Sequence, residues 1–355
     1  MSKAAELAAL IANVNKGSSL GNKNFFHNGM FQVAQRGTSS TAEGFKTVDR
    51  WQLISSNEDN LAFTQAQSSD VPSGYGFTNS FKIDCTTVES ALAADEHASV
   101  STAIEAQDLA GLGYGASGAK AMTLSFWVKS NKTGNYAVSL YKVDNTERLL
   151  TVPYTISSAD TWEKKELAIP GDTSGGAINN DNGAGIHFYF MLMAGSDYTS
   201  SDSTSWGNYS NAGFAYGQSV NMFDNTANEW LITGCQLEIG EKATAFEHES
   251  YEATLRKCLR YHYEYTTSGL SDNPAYFTSP YSPASHDGSL PNSSAILTVV
   301  HPVPMRAAPS HPTTTINTGS LNRDTSTIYH TVYQLSSSSA NDAQAVTAAT
   351  ITAEL

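Results

Sequence analysis

Charge is scarce in this chain. Asp, Glu, Lys and Arg make up 15% of its 355 residues, against the ~25% usual for globular proteins. Only 20 of these side chains are basic and 34 are acidic, a formal net charge of −14. Such a balance repels phosphate backbones and argues against a nucleic-acid partner. Cysteine is nearly missing too. Cys85, Cys235 and Cys258 are odd in number and form no CxxC pair. That fits buried or free thiols in a protein made in a reducing cytosol, not a disulfide framework, a redox pair or a zinc site. No apolar run reaches the ~18 residues of a spanning helix, so no membrane insertion is expected. The amino terminus lacks a basic stretch followed by an apolar one, so no secretory signal is expected either. GxxxxGK[ST] does not occur, and GxSxG occurs only as Gly17-Ser18-Ser19-Leu20-Gly21 in the polar stretch 16–23, with no strand-like run before it, so neither a phosphate loop nor a nucleophile elbow follows from the sequence.

Polarity comes instead from neutral hydroxyls. The chain has 44 Ser and 35 Thr beside 17 Tyr, 14 Phe and 26 Gly. This is the composition of strands and turns, too aromatic and too weakly charged for a disordered chain. Its length suits about two domains with real cores.

In residues 2–14, Leu7, Leu10, Ile11 and Val14 recur at helical spacing on one stripe, with Ser2 to cap the start and Gly17 to end it. So short a helix is marginal alone in water. Its stripe is expected to dock on a copy of itself, on the body of the protein or on a larger assembly. Residues 16–23 read as a hinge that closes an anchoring segment over 1–23.

From about 24 to 249 the period shortens to two. Runs at 123–129, 136–143, 162–169 and 186–193 alternate as strands, separated by turn clusters at 131–134, 170–172 and 179–183. Short punctuated strands over this length predict one large antiparallel jelly roll. Trp127 and Trp162 sit within alternating runs and are expected in its core. Over 250–263 a linking helix is predicted, capped by Ser250, with Glu252 in its first turn and Tyr251, Leu255, Cys258, Leu259 and His262 on one face. Residues 264–355 turn β again, with strands at 295–301, 313–316, 326–333 and 346–355, and Pro302, Pro304, Pro309 and Pro312 forcing an extended or edge path. The expectation is a mainly β protein: a jelly-roll β-sandwich followed by a smaller C-terminal β-domain, with a short N-terminal anchoring helix and a linking helix.

Candidate sites are few. A GxGxxG string at 113–118 leads into a strand-like run, not a helix, and reads as an inter-strand loop. The nine histidines show no HxH or HExxH spacing. Asp181 with Asn179, Asn180 and Asn182 reads as a polar turn, or as oxygen ligands for a structural Ca²⁺. Glu89, Asp95, Glu96 and Glu105 are the carboxylates open to glycosidase chemistry, which depends on spatial pairing. The stretch 197–218 sets Tyr198, Trp206, Tyr209, Phe214 and Tyr216 among Ser, Gly and Asn. Aromatics so spaced make adaptable recognition surfaces; they also suit a loop strapped over the sandwich, or contact with a neighbouring subunit or another protein of an assembly. Tyr276 and Tyr281 lie in a loop of similar chemistry.

One set of blocks resembles a known family. Residues 24–38 (NFFHNGMFQVAQRGT), followed by Asp49-Arg50-Trp51, are similar to the opening of a bacteriophage tail-fibre or appendage module. SFWVKS at 125–130, TWEKKEL at 161–167, IPGDT at 169–173 and QLEIGEKATAFE at 236–247 resemble its sandwich core and last strand. CLRYHY at 258–263, PVPMRAAP at 302–309 and TITAEL at 350–355 resemble its C-terminal part. Read physically, Asn28-Gly29 is a tight-turn dipeptide with Gly tolerating positive φ, His27 hydrogen-bonds locally, and Arg36 is placed to pair near Asp49-Arg50-Trp51 beneath an indole.

The resemblance implies a jelly roll similar to carbohydrate-binding modules in a virion appendage, assembled in the host cytoplasm and usually trimeric. No coiled-coil or β-helix shaft is visible, so the fibre would be short or a tip. The implied partners are further copies of the chain, a phage tail, portal-proximal or capsid protein held through Leu7, Leu10, Ile11 and Val14, and a host-surface glycan or protein. Tyr198, Trp206, Tyr209, Tyr216, Tyr276 and Tyr281 are the candidate receptor contacts. No catalytic residues and no cofactor are expected. A capsid fibre or baseplate decoration protein, and a small polysaccharide depolymerase, remain alternative readings.

Overall fold

The computed structural model describes residues 23–56, 61–89, 91–266, 293–316, 320–337 and 346–355. The stripe Leu7, Leu10, Ile11 and Val14 and the loop residues Tyr276 and Tyr281 lie outside these. The chain divides into two units, one reaching to Thr254 and one from Leu255 to Glu354.

In the first unit the alternating runs become strands: β1 Ser39–Ser40, β2 Gln52–Ser56, β3 Ala62–Ser68, β4 Ser80–Thr87, β5 His97–Glu105, β6 Met122–Ser130, β7 Gly134–Lys142, β8 Arg148–Ile156, β9 Glu163–Ile169, β10 Ala184–Ala194, β11 Gly207–Asn208 and β12 Glu229–Ile239. Among the described residues they form two six-stranded sheets, β1-β3-β4-β12-β6-β9 and β11-β8-β7-β10-β5-β2. All pairings are antiparallel, and the chain crosses repeatedly between the sheets, as in a jelly roll. Side chains alternate in and out. On β10 Ile186, Phe188, Phe190 and Leu192 are buried in the core, leaving His187 and Tyr189 on the opposite face.

The core is aromatic. Trp51, fully buried, meets Phe26 at 5.3 Å, Phe31 at 5.0 Å and Phe190 at 5.8 Å between ring centroids. Rings of this size each contribute about 1.5–3 kcal/mol on burial. The blocks that resemble the phage module staple this core. Asn24 donates to Cys235 O (2.9 Å) and accepts from Leu237 N (3.0 Å), tying the opening to β12. Buried Asn28 donates to Val33 O and Asp49 O, both at 2.9 Å, and accepts from Val33 N. The positive φ expected at Gly29 falls on Asn28 (φ 58). Gly29 is required for closeness instead, since a Cβ there would lie 2.2 Å from Cys235 O. Arg36 reaches Asp49 at 3.8 Å, but the ring beside its guanidinium is Phe45, not an indole. The Trp51 indole points inward and donates to His27 O at 3.1 Å.

Trp127 and Trp162 are not core residues. Each is half-buried on the outer side of the first sheet, because the inward positions of β6 are Leu124, Phe126 and Val128. The 113–118 glycines follow a 3₁₀ turn at Ala110–Leu112 and precede β6, a loop as expected.

The linking helix is shorter than predicted, Tyr251–Cys258. Ser250 caps it by accepting from Ala253 N (3.2 Å). Tyr251, expected on the packed face, is 54% exposed. His262 instead opens a strand, because it pairs with Thr352.

The second unit holds β13 His262–Thr266, β14 Ser293–Val300, β15 Ser310–Ile316, β16 Ser320–Ser326, β17 His330–Ser337 and β18 Val346–Thr352, in sheets β13-β18-β15 and β14-β17-β16. Val299, Met305, Tyr333, Ala349 and Ile351 form its core. The run at 326–333 is two strands, not one. Thr327 Oγ1 accepts from the backbone of Tyr329 and His330, both at 3.2 Å, and this hydroxyl turn reverses the chain. Pro312 lies on edge strand β15, between Ser310 and Thr313 where the register to β18 shifts, so its missing N–H breaks no regular ladder.

Candidate functional site

The outer face of the second sheet carries a strip of half-buried rings. His187 on β10 pairs with Tyr141 on β7, and Tyr189 pairs with Ser139. Tyr141 and His187 are 6.2 Å apart and 28° from parallel; His187 and Tyr189 are 5.9 Å apart and 18° from parallel. Tyr209, from the loop after β10, closes on Tyr141 at 4.7 Å. Small residues flank the strip: Ala103 and Ser101 on β5 stand opposite His187 and Tyr189.

The loop between β10 and β12 is a strap that shapes one side of this face. Tyr198, Phe214 and Ala215 form a small second core with Ala137, Leu149 and Met191 on the outer surface of the sheet. The strap backbone is fastened along β7 and β8: Thr151 N donates to Ser203 O (2.8 Å), Tyr209 N to Glu147 O (3.0 Å) and Ala137 N to Gln218 Oε1 (2.8 Å).

Two buried cations brace the same end. Arg148 makes a two-point pair with Asp172, at 3.1 and 3.2 Å, and also donates to Trp206 O and Asn208 Oδ1. The Lys142 ammonium sits in a cage of three carbonyl oxygens, those of Asp144 (2.7 Å), Thr146 (3.1 Å) and Gly175 (3.0 Å). Burial lowers the Lys142 pKa, against the pull of Asp172 and Asp144.

The expected contact residues divide. Tyr198 faces the sheet and is 9% exposed, and its ring meets His97 at 4.6 Å. Trp206 is half-buried, with Nε1 donating to Pro170 O at 2.7 Å. Tyr216 is half-buried at the far end of the strap. Tyr209 belongs to the strip. Tyr141, His187 and Tyr189 were missed as candidates, although strand alternation already sets 187 and 189 on one face.

The strip is electrically quiet. Burial, then neighbouring Arg50, lowers the His187 pKa to about 4, so the imidazole is neutral at neutral pH. Burial, then Tyr209, pushes Tyr189 up to about 12. Burial also raises Tyr141 and Tyr209; Tyr141 is held further by its 2.6 Å hydrogen bond to Glu147. The phenols therefore keep their O–H groups. Neutral ring faces carry the negative side of their quadrupole, which suits the polarised C–H face of a sugar, and at the rim the Tyr141 hydroxyl donates to Glu147 (2.6 Å) and the Tyr209 hydroxyl to Asn211 (2.8 Å).

Three of the four carboxylates considered for hydrolysis make local hydrogen bonds, while Asp95 is exposed and the buried Glu89 Oε2 takes no hydrogen bond among the described residues. Glu89 Oε1 accepts from Ala91 N (3.0 Å), Glu96 Oε2 from Ala93 N (2.7 Å) and Glu105 Oε2 from Gln107 Nε2 (2.6 Å). Asp181 caps its own turn at Gly183 N (2.8 Å), and Asn179 donates to Asp144. Among the described residues no three His, Cys, Asp or Glu side chains are grouped to hold a metal ion.

No family model matches the chain, and no curated protein matches it in sequence. Solved structures offer only distant likenesses. One is the enzymatically active domain of tailspike protein 4 of bacteriophage CBA120, 14% identical with a TM-score of 0.33, covering 61% of this chain but only 22% of that one. Another is a family 11 carbohydrate-binding module from Clostridium thermocellum in complex with a β-1,3-1,4-mixed-linked tetrasaccharide, 14% identical, TM-score 0.29, over 59% of this chain and 98% of that one. A third is the CBM22-1 xylan-binding domain from Paenibacillus barcinonensis Xyn10C, 10% identical, TM-score 0.27, over 58% and 94%. None of these likenesses identifies a ligand for this chain. What it binds is decided by its own side chains.

Proposed function

We propose that this protein is a non-catalytic, glycan-binding appendage of a phage particle, and that the Tyr141–His187–Tyr189–Tyr209 face takes the host-surface sugar. The observation that carries this reading is the strip itself: the near-parallel, uncharged, half-buried rings of Tyr141, His187 and Tyr189, with Tyr209 tilted by 49° against Tyr141, on a braced sheet. Such a face suits a saccharide, which offers C–H bonds on one side and hydroxyls around its edge. The engagement of Glu96 and Glu105 in local bonds supports binding without hydrolysis. A shallow site of this kind holds weakly, and assembly as a trimer on a particle multiplies it through avidity. The apolar stripe Leu7, Leu10, Ile11 and Val14 docks the chain to a tail, portal-proximal or capsid protein.

Two experiments test this. In affinity electrophoresis against host-surface polysaccharide, Tyr141→Ala and Tyr189→Ala are each expected to weaken binding about tenfold, equivalent to ~1.4 kcal/mol, with unchanged circular dichroism. Unaltered retardation in both variants rejects the face. For the anchor, Leu10→Asp is expected to abolish incorporation into particles; normal copy number rejects it. A protein that saturates particles lacking it but holds no host glycan is an assembly component, and one that clears halos on a host lawn is a depolymerase.

A further inference from the structure

The opposite side of the sandwich carries a second group of aromatic rings that the first face does not use. Trp127 on β6 is half-buried on the outer surface of the first sheet, and the Tyr75 ring lies over it at 4.3 Å between centroids, tilted by 48°. Tyr75 is 53% exposed. Trp162 is half-buried just before β9, the strand paired with β6, and its Nε1 donates to Asp70 at 3.0 Å. The same carboxylate takes the Lys129 ammonium, two residues along β6 from Trp127.

The loop that presents Tyr75 is held at both ends. Ser80 Oγ donates to Asp70 O at 2.6 Å, and Phe77 is buried against Phe246 at 5.1 Å. Gly74 (φ 84) and Gly76 (φ 78) flank Tyr75 in left-handed conformations that turn this single residue outward. A ring so fixed loses little freedom when it meets a ligand.

We propose that Tyr75, Trp127 and Trp162 form a second saccharide-contact surface, so that one chain engages glycan on both outer faces of its sandwich. The proposal rests on the reading that the protein binds glycans. A protein partner fits poorly. Three rings fall far short of the ~800 Å² per side of a stable interface, and the patch is interrupted by Lys129, Asp70 and the Lys164–Glu166 pair (2.7 Å), charges that are depleted at interface centres. Sugar hydroxyls use such charges as donors and acceptors while the ring faces take the C–H surface. Two opposed faces let a single molecule bridge two polysaccharide strands.

The test uses the full chain and affinity electrophoresis with a panel of soluble polysaccharides: mixed-linked β-glucan, xylan, galactan, dextran and purified bacterial O-polysaccharide. With a panel member that retards the wild type, Tyr141→Ala/Tyr209→Ala is expected to lower affinity but leave measurable binding. Adding Tyr75→Ala, an exposed position that does not threaten the fold, is expected to reduce that remainder at least fivefold. The same ligand should quench tryptophan emission in the Tyr141→Ala/Tyr209→Ala protein, and Trp127→Phe should remove most of that quench. If Tyr141→Ala/Tyr209→Ala abolishes all binding, the second surface is rejected and the first stands. If Tyr75→Ala changes nothing in that background, the second surface is likewise rejected. A wild type retarded by no panel member overturns both.

Discussion

His187 shows how burial tunes a single ring. It lies between Tyr141 and Tyr189 on the outer face of the second sheet, with Arg50 as the nearby cation, and its pKa falls to about 4 from an ordinary 6.5, by burial first and Arg50 second. The unfolded chain therefore takes up a proton that the folded one refuses between about pH 6.5 and 4. This contribution to stability is complete above pH 6.5 and declines as pH falls through that window, by at most about 3 kcal/mol. Chemical denaturation at pH 7 and pH 4.5 is expected to show a larger loss in the wild type than in His187→Gln. Equal losses would mean that the imidazole is not shielded. Between pH 6.5 and 8 the ring is neutral in the folded protein, so the affinity of the proposed glycan face is expected to be flat there.

At the scale of elements, the strap and the loops around β7 and β8 hold the strip in place. Their keystone is Lys142, whose ammonium satisfies three carbonyl oxygens inside the protein. Lys142→Met keeps most of the side-chain volume but strands those acceptors. A buried acceptor without a donor costs about 1–3 kcal/mol, so a loss of ~2–4 kcal/mol in unfolding free energy is expected, with faster amide exchange at residues 144–147 and 175. Exchange unchanged at those amides would show that the loops stand without the lysine. Because Glu147 accepts the Tyr141 hydroxyl, the same variant should also weaken glycan binding.

At the scale of the molecule, two separate cores make two separable stabilities. The first is built around Trp51 and its phenylalanine neighbours, the second around Met305, Tyr333 and Ile351. Calorimetry is expected to resolve two transitions. Trp51→Ala, costing about 3–5 kcal/mol by loss of contacts and creation of a cavity, should lower only one of them. A single transition that shifts as a whole would mean the units unfold together. The net charge of −14 acts at this scale too: it disfavours polyanionic ligands at low salt, so if the proposed glycan face binds, neutral polysaccharides are expected to retard the protein more than acidic ones.

Period-two runs, turn clusters and scarce charge determined by themselves that this is a mainly β protein with a strand ladder around 122–194, while the burial of Cys85, Cys235 and Cys258 was decided by the fold. A β-strand's alternation is written in the chain, and so is the chemistry of a turn such as 179–183. Alternation sorts residues onto two faces without saying which face is inside. Trp127 and Trp162 look like core by residue type and lie outside, because Leu124, Phe126 and Val128 fill the inward positions of β6. Helix periodicity at 250–263 was outweighed at its end by pairing of His262 with Thr352, a partner 90 residues away. The aromatic strip is of the same kind. Tyr141, His187 and Tyr209 come from two strands and a strap, and only sheet register and the fastening of that strap bring them within about 6 Å. Local sequence carries local preference, while contacts between distant segments exist only once the sheets have closed.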